Sequence, residues 1–109
     1  MTHVFPAADV FRTLSDPTRL ALFERLAREG ELTVSELTAG AGVSQPAVSQ
    51  HLEKLKLVGL VQDRREGRLA HYSADPAGLT PLTDWLAFYS QFWTDRFDKL
   101  EAFLKHMDQ

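Results

Sequence analysis

The stretch Ser44-Gln-Pro-Ala-Val-Ser-Gln-His-Leu-Glu-Lys-Leu-Lys-Leu-Val-Gly-Leu-Val-Gln-Asp-Arg-Arg-Glu-Gly-Arg68 decides how the chain is read. At 100° per residue Val48, Leu52 and Leu55 fall on one side of a helix and form its core face. Ser44 is placed to cap that helix, and Pro46 fits its first turn, where the amides have no helical acceptor. Pro46, Ala47, Gln50, Glu53 and Lys54 project away from the core, with Ser49 and His51 at the boundary. Gly59 suits the left-handed exit, and an arginine-rich segment follows at once.

On either side of this stretch the pattern is mostly helical. A short helix over about 7–14 carries Val10, Phe11 and Leu14. The next is capped by Asp16 with Pro17 in its first turn, buries Leu20, Phe23, Leu26 and Ala27, and ends at Gly30. Thr33 and Glu36 have capping-box spacing and open a third helix with Val34 and Leu37 turned inward. After the quoted helix, residues 60–73 read as a hairpin turning near Glu66-Gly67, with Leu60 opposite Leu69 and Val61 opposite Tyr72. Asp75-Pro76 breaks the pattern, and Thr80 caps a long last helix over about 81–107. The expected architecture is mainly α (α+β): a single winged helix-turn-helix domain over 1–109, about five helices and a two-stranded β-hairpin wing. The recognition helix spans about 44–58 and the wing about 60–73.

Bulk composition bounds the function. A chain of 109 residues supports one domain with one modest core. No apolar run is long enough for a membrane helix, and the N-terminus has no secretory pattern, so no membrane association is expected. The absence of cysteine removes disulfides and thiolate metal sites and fits a cytoplasmic setting. The net charge is −3, yet residues 44–73 hold five basic against three acidic side chains, while both flanks are acidic. A polyanion responds to the local field, so the central segment is the candidate contact surface.

DPTRLALFERLA, ELTVSELTAGAGVSQPAVSQHLEKLKLVGLV and RREGRLAHYSAD together resemble the ArsR/SmtB-type winged-helix transcriptional repressors, over about Phe11 to Asp75. The aromatic WLAFYSQFWTDRFDKLEAFL is similar to a subgroup of that family. The resemblance implies a homodimer that binds a near-palindromic operator in double-stranded DNA and represses transcription until an effector intervenes.

The residues themselves suit that role. Near the start of a helix in the major groove, Ser44, Gln45, Pro46, Ala47, Ser49 and Gln50 are short or flexible enough to reach base edges. Gln50 is the first choice for bidentate adenine reading, worth about 1–3 kcal/mol of discrimination. His51 and Lys54 are expected to touch phosphate or hold the helix in place, and Arg64, Arg65 and Arg68 to contact the backbone or enter the minor groove. Leu57 points outward without a role. Phe5, Val10, Phe11, Leu82, Leu86, Tyr89, Trp93, Leu100 and Leu104 are the expected dimer interface, in an apolar surface too large for one small domain to cover.

No cofactor is expected. Where many members of the family place metal-binding cysteines, this chain has Thr33 and Ser35, which are poor ligands for soft metals. The last helix has Asp84, Asp95, Asp98, Glu101 and His106 without paired-histidine spacing, and His3 is distant in sequence, so no metal site is assigned. A small-molecule effector is left unidentified. A hydrolase built on Ser49 and His51 fails, because residues two apart on a helix face apart. The competing reading is a winged helix used only for protein–protein assembly.

Overall fold

Three helices of this chain begin where a polar side chain occupies their free amides. The computed structural model describes residues 6–107. The carboxylate of Asp16 accepts from the amides of Thr18 and Arg19 at 2.9 and 3.0 Å, opening Pro17–Glu29 (α2) just after Ala7–Leu14 (α1). Thr33 and Glu36 form the expected capping box at the start of Val34–Thr38 (α3). Ser44 Oγ accepts from the Ala47 amide at 3.3 Å and starts Gln45–Leu57 (α4). Gly59, at φ 80°, turns the chain out of that helix.

Val48, Leu52 and Leu55 of α4 are fully buried among Val10, Leu22, Phe23, Leu26, Leu37, Leu60 and Tyr72. The face of α2 differs from expectation. Leu20 and Ala27 are exposed, whereas Leu22 is buried with Phe23 and Leu26. Because α2 packs on α1, α4 and the sheet together, its buried face is turned roughly 60° from the stripe read in sequence.

The sheet has three antiparallel strands in the order Leu32–Thr33 (β1), Leu69–Ala74 (β3), Val61–Glu66 (β2). The wing hairpin thus gains a third strand, β1, too short to show a sequence period. The register also differs from the expected one: Val61 pairs with Ala74, Asp63 with Tyr72 and Glu66 with Leu69. The cause is a two-residue turn at Gly67-Arg68, with Gly67 at φ 60° in its first central position, which fixes every pair above it. Leu60 lies before the strand, fully buried, and its carbonyl accepts from the Asp75 amide at 2.9 Å.

Asp75, not Thr80, caps the return to helix. Its carboxylate accepts from the Ala77 amide at 3.1 Å and opens a 3-10 turn over Pro76–Leu79 that runs straight into Thr80–Met107 (α5). This turn sits backbone to backbone on the exit from α4. A β-carbon added at Gly78 would fall inside the contact shell of the Gly59 carbonyl and the Leu60 backbone. Beyond it α5 holds no buried residue and projects from the body. The radius of gyration is 19.1 Å, against about 13 Å for a compact chain of this length.

Gly78→Ala is expected to lower unfolding stability by about 2–4 kcal/mol, since neither partner is a side chain that can swing away. Urea denaturation measures it, with Ala77→Ser on the exposed side of the turn as the neutral comparison.

Candidate nucleic-acid interface

Burying Val48, Leu52 and Leu55 divides the remainder of α4 into three directions. Outward, Pro46, Gln50, Lys54 and Leu57 are exposed, and Leu57 shows 73% of its surface. On the wing side, Gln45 and Ser49 line a cleft of about 220 Å³ with Thr33, Ser35, Arg65, Arg68 and Ala70. The same side of the helix closes on the wing further along. Tyr72 Oη donates to Glu53 Oε1 at 3.2 Å, and Lys56 Nζ lies 2.9 Å from the Asp63 carboxylate. Burial, reinforced by the Glu53 charge, pushes the Tyr72 phenol up to about 12. The Asp63 carboxylate beside Lys56 raises that ammonium's pKa.

The third direction holds His51. Its Nδ1 lies 3.5 Å from Arg19 Nη1, and Arg19 Nε donates to the Thr13 carbonyl at 2.7 Å. His51 is half-buried in a contact that joins α4 to α2 and the end of α1. Of the two roles expected for His51, phosphate contact or holding the helix in place, this contact is of the second kind.

Alternation along β2 separates the wing arginines. Arg65 is on the side of the sheet that carries Val61 and Asp63 towards α4, and it opens into the cleft. Arg64 is on the opposite side. Its Nε and Nη2 reach Glu31 at 3.0 and 2.7 Å, and Nη1 reaches Glu66 at 3.1 Å. The Arg64 hydrogen bond holds the Glu31 carboxyl below its ordinary range. Arg64 thus ties β2 to the segment before β1, on the side of the sheet away from the cleft. His71 shares this network, with Nε2 3.3 Å from Glu66 and Nδ1 3.9 Å from Glu31. Arg68, at the wing tip, is exposed and makes no ion pair among the described residues.

The expected dimer face is mostly open. Phe11 meets Trp85 edge-on with ring centroids 5.3 Å apart, and Leu86, Tyr89, Trp93, Leu100 and Leu104 are exposed along α5. Two expected members differ. Val10 is fully buried in the chain's own core, so it backs the face instead of lying on it, and Leu82 is half-buried against that core. Phe5 and His3 lie outside the described residues. Among the described residues no group of three or more histidine, aspartate and glutamate side chains is placed to hold a metal ion. The Thr33 hydroxyl is occupied as the α3 cap.

Sequence reasoning missed the Glu53–Tyr72 and Lys56–Asp63 ties. Their signal lay in the helical angle: Glu53 and Lys56 share the side of α4 that carries Ser49.

Three packed helices, an exposed polar ridge on the third and a basic wing beside it define a winged helix-turn-helix DNA-binding protein. Residues 14–64 match the helix-turn-helix domain family. The arsenic resistance transcriptional regulator ArsR1 of Pseudomonas putida is 41% identical over 76 residues, covering 70% of this chain and 59% of that protein. The HTH-type transcriptional regulator Rv2034 of Mycobacterium tuberculosis is 48% identical over 84 residues, covering 77% and 75%. The arsenical resistance operon repressor of Escherichia coli is 32% identical over 108 residues, covering 98% and 88%. The crystal structure of the ArsR family transcriptional regulator RHA00566 superposes with a TM-score of 0.71 at 31% identity, over 80% of this chain and 89% of that one. The chain belongs to the ArsR/SmtB family of helix-turn-helix transcriptional regulators.

Replacing Arg64 and Arg68 in turn should separate the roles of these two wing arginines. Arg68→Ala is expected to weaken binding to all DNA and to shallow the salt dependence by about one unit for each phosphate left unneutralised. Arg64→Ala should leave that slope unchanged. Equal slopes for the two variants, measured by fluorescence anisotropy across salt concentrations, would refute this division of the wing.

Proposed function

We propose that two copies of the chain form a repressor that binds a near-palindromic operator, each laying α4 in a major groove with its wing on the flanking backbone. The observation that carries this reading is the outward ridge of α4, where Gln50 and Lys54 stand exposed beside a cleft bordered by Arg65 and Arg68. Gln50 reads a base edge, with Gln45 and Ser49 as neighbours able to reach bases or phosphate. Ser44, Pro46 and Ala47 keep the helix start slim enough to enter the groove. Lys54, Arg65 and Arg68 hold phosphates.

A single domain of this size makes few base contacts, so pairing two copies on successive turns, about 34 Å apart, adds their binding energies. The exposed apolar length of α5, with Phe11 against Trp85 at its root, supports assembly through the terminal helices. Soft-metal sensing through thiolates at the start of α3 does not extend to this chain, which has Thr33 and Ser35 there and no cysteine. Assembly without DNA is the weaker reading, since it leaves the basic cleft and slim polar ridge unused.

Selection of bound fragments from genomic DNA should return a two-fold symmetric sequence whose affinity falls steeply with salt. Gln50→Ala is expected to lower operator affinity by about 1–3 kcal/mol and relax preference at one base pair per half-site, with random DNA bound as before. Equal losses on operator and random DNA would remove Gln50 as the base reader.

A further inference from the structure

The apolar residues of α5 recur at a spacing that describes their partner. Leu86, Trp93, Leu100 and Met107 follow one another at every seventh residue, and so do Leu82, Tyr89, Arg96 and Phe103. Together they make the two rows of a helix-pairing seam along a 28-residue helix. Such a seam fits another helix with the same repeat and length, and the helix that has both is α5 of a second copy. This rests on the dimer reading above.

One position breaks the pattern. Arg96 stands in the seam, its guanidinium over the Phe92 ring 4.7 Å from the centroid, with no ion pair among the described residues. In many paired helices charges flanking the seam set orientation. Here the flanks carry Trp85, Phe92, Lys99 and His106 on one side and Thr83, Ser90, Phe97 and Leu104 on the other, with no acidic side chain to form an opposite-charge pair across the seam. The orientation then falls to Arg96 itself. A parallel, in-register pair would press Arg96 against its own copy in a desolvated seam, a like-charge contact of high cost.

An antiparallel pair meets no such clash. Sliding two antiparallel copies until the whole seam overlaps sets Leu86 against Phe103, Tyr89 against Leu100 and Trp93 against Arg96. One face of each guanidinium rests on its own Phe92, leaving the other for the indole across the seam, the strongest aromatic partner for a cation. A slip by one heptad would separate Arg96 from Trp93 and leave seam residues uncovered at both ends. We propose that Arg96 fixes the direction and register of α5 pairing by stacking on Trp93 of the second copy.

The lack of native cysteine makes thiol cross-linking a clean test. Tyr89→Cys and Leu100→Cys are each purified alone and also co-expressed, then treated with a short bis-maleimide, after sedimentation has established the assembly state. The expected result is a dimer-mass product from the co-expressed pair and little from either variant alone, because like positions lie about 16 Å apart along an antiparallel pair. Adding Arg96→Leu should raise self-linking of each single variant about threefold or more, as the register loosens, while Arg96→Lys should not. Self-linking of either single variant in the presence of Arg96 overturns the antiparallel arrangement. No cross-link from a protein that sediments as a dimer overturns the α5 register and leaves dimerisation standing. A monomer at micromolar concentration overturns both, and self-linking unaffected by Arg96→Leu removes Arg96 as the determinant.

Discussion

Everything at the proposed DNA face depends on the complete burial of Val48, Leu52 and Leu55. With three large side chains locked in a close-packed interior, α4 cannot roll about its axis without opening a cavity, which would cost several kcal/mol. Its polar residues inherit their directions from that constraint. Gln50 and Lys54 point out, Gln45 and Ser49 towards the wing, and His51 towards α2. A base-reading side chain needs its backbone held to a fraction of an ångström, and here the hydrophobic core does the holding.

The wing is oriented by a second set of contacts that act from both sides of the sheet. On the inner side, Tyr72 with Glu53 and Lys56 with Asp63 join it to α4. On the outer side, Glu31, Arg64 and Glu66 tie β2 to the segment before β1, across the middle strand that carries His71. Exposed ion pairs of this kind contribute little to stability. Their effect is geometric, since the hairpin tip with Arg68 extends from a root fixed on two sides.

Much of this architecture was legible in sequence where the signal was local. Asp16, Thr33 with Glu36, and Ser44 cap helices at the expected positions, and the α4 core face follows from its spacing. What escaped was set by distant partners. The face of α2 is decided by three neighbours at once, and a two-residue strand has no period to detect. Arg64 looked like its neighbour Arg65 because composition ignores alternation, although strand geometry alone puts adjacent residues on opposite sides. Its partner Glu31 lies 33 residues away and leaves no trace in the local pattern. Of the DNA-facing candidates, Gln50, Lys54 and Arg68 are exposed as the pattern suggested, while His51 is engaged inside the protein.

The long α5 has no buried residue and little purchase on its own body. In an assembly of two copies, that helix would be ordered mainly by the other molecule, so part of the free energy of folding would be supplied at second order in protein concentration. Occupancy of the operator would then rise more steeply than in proportion to the amount of protein made. A poorly covered helix would thus give a gene switch a threshold, set by how much of the protein the cell synthesises.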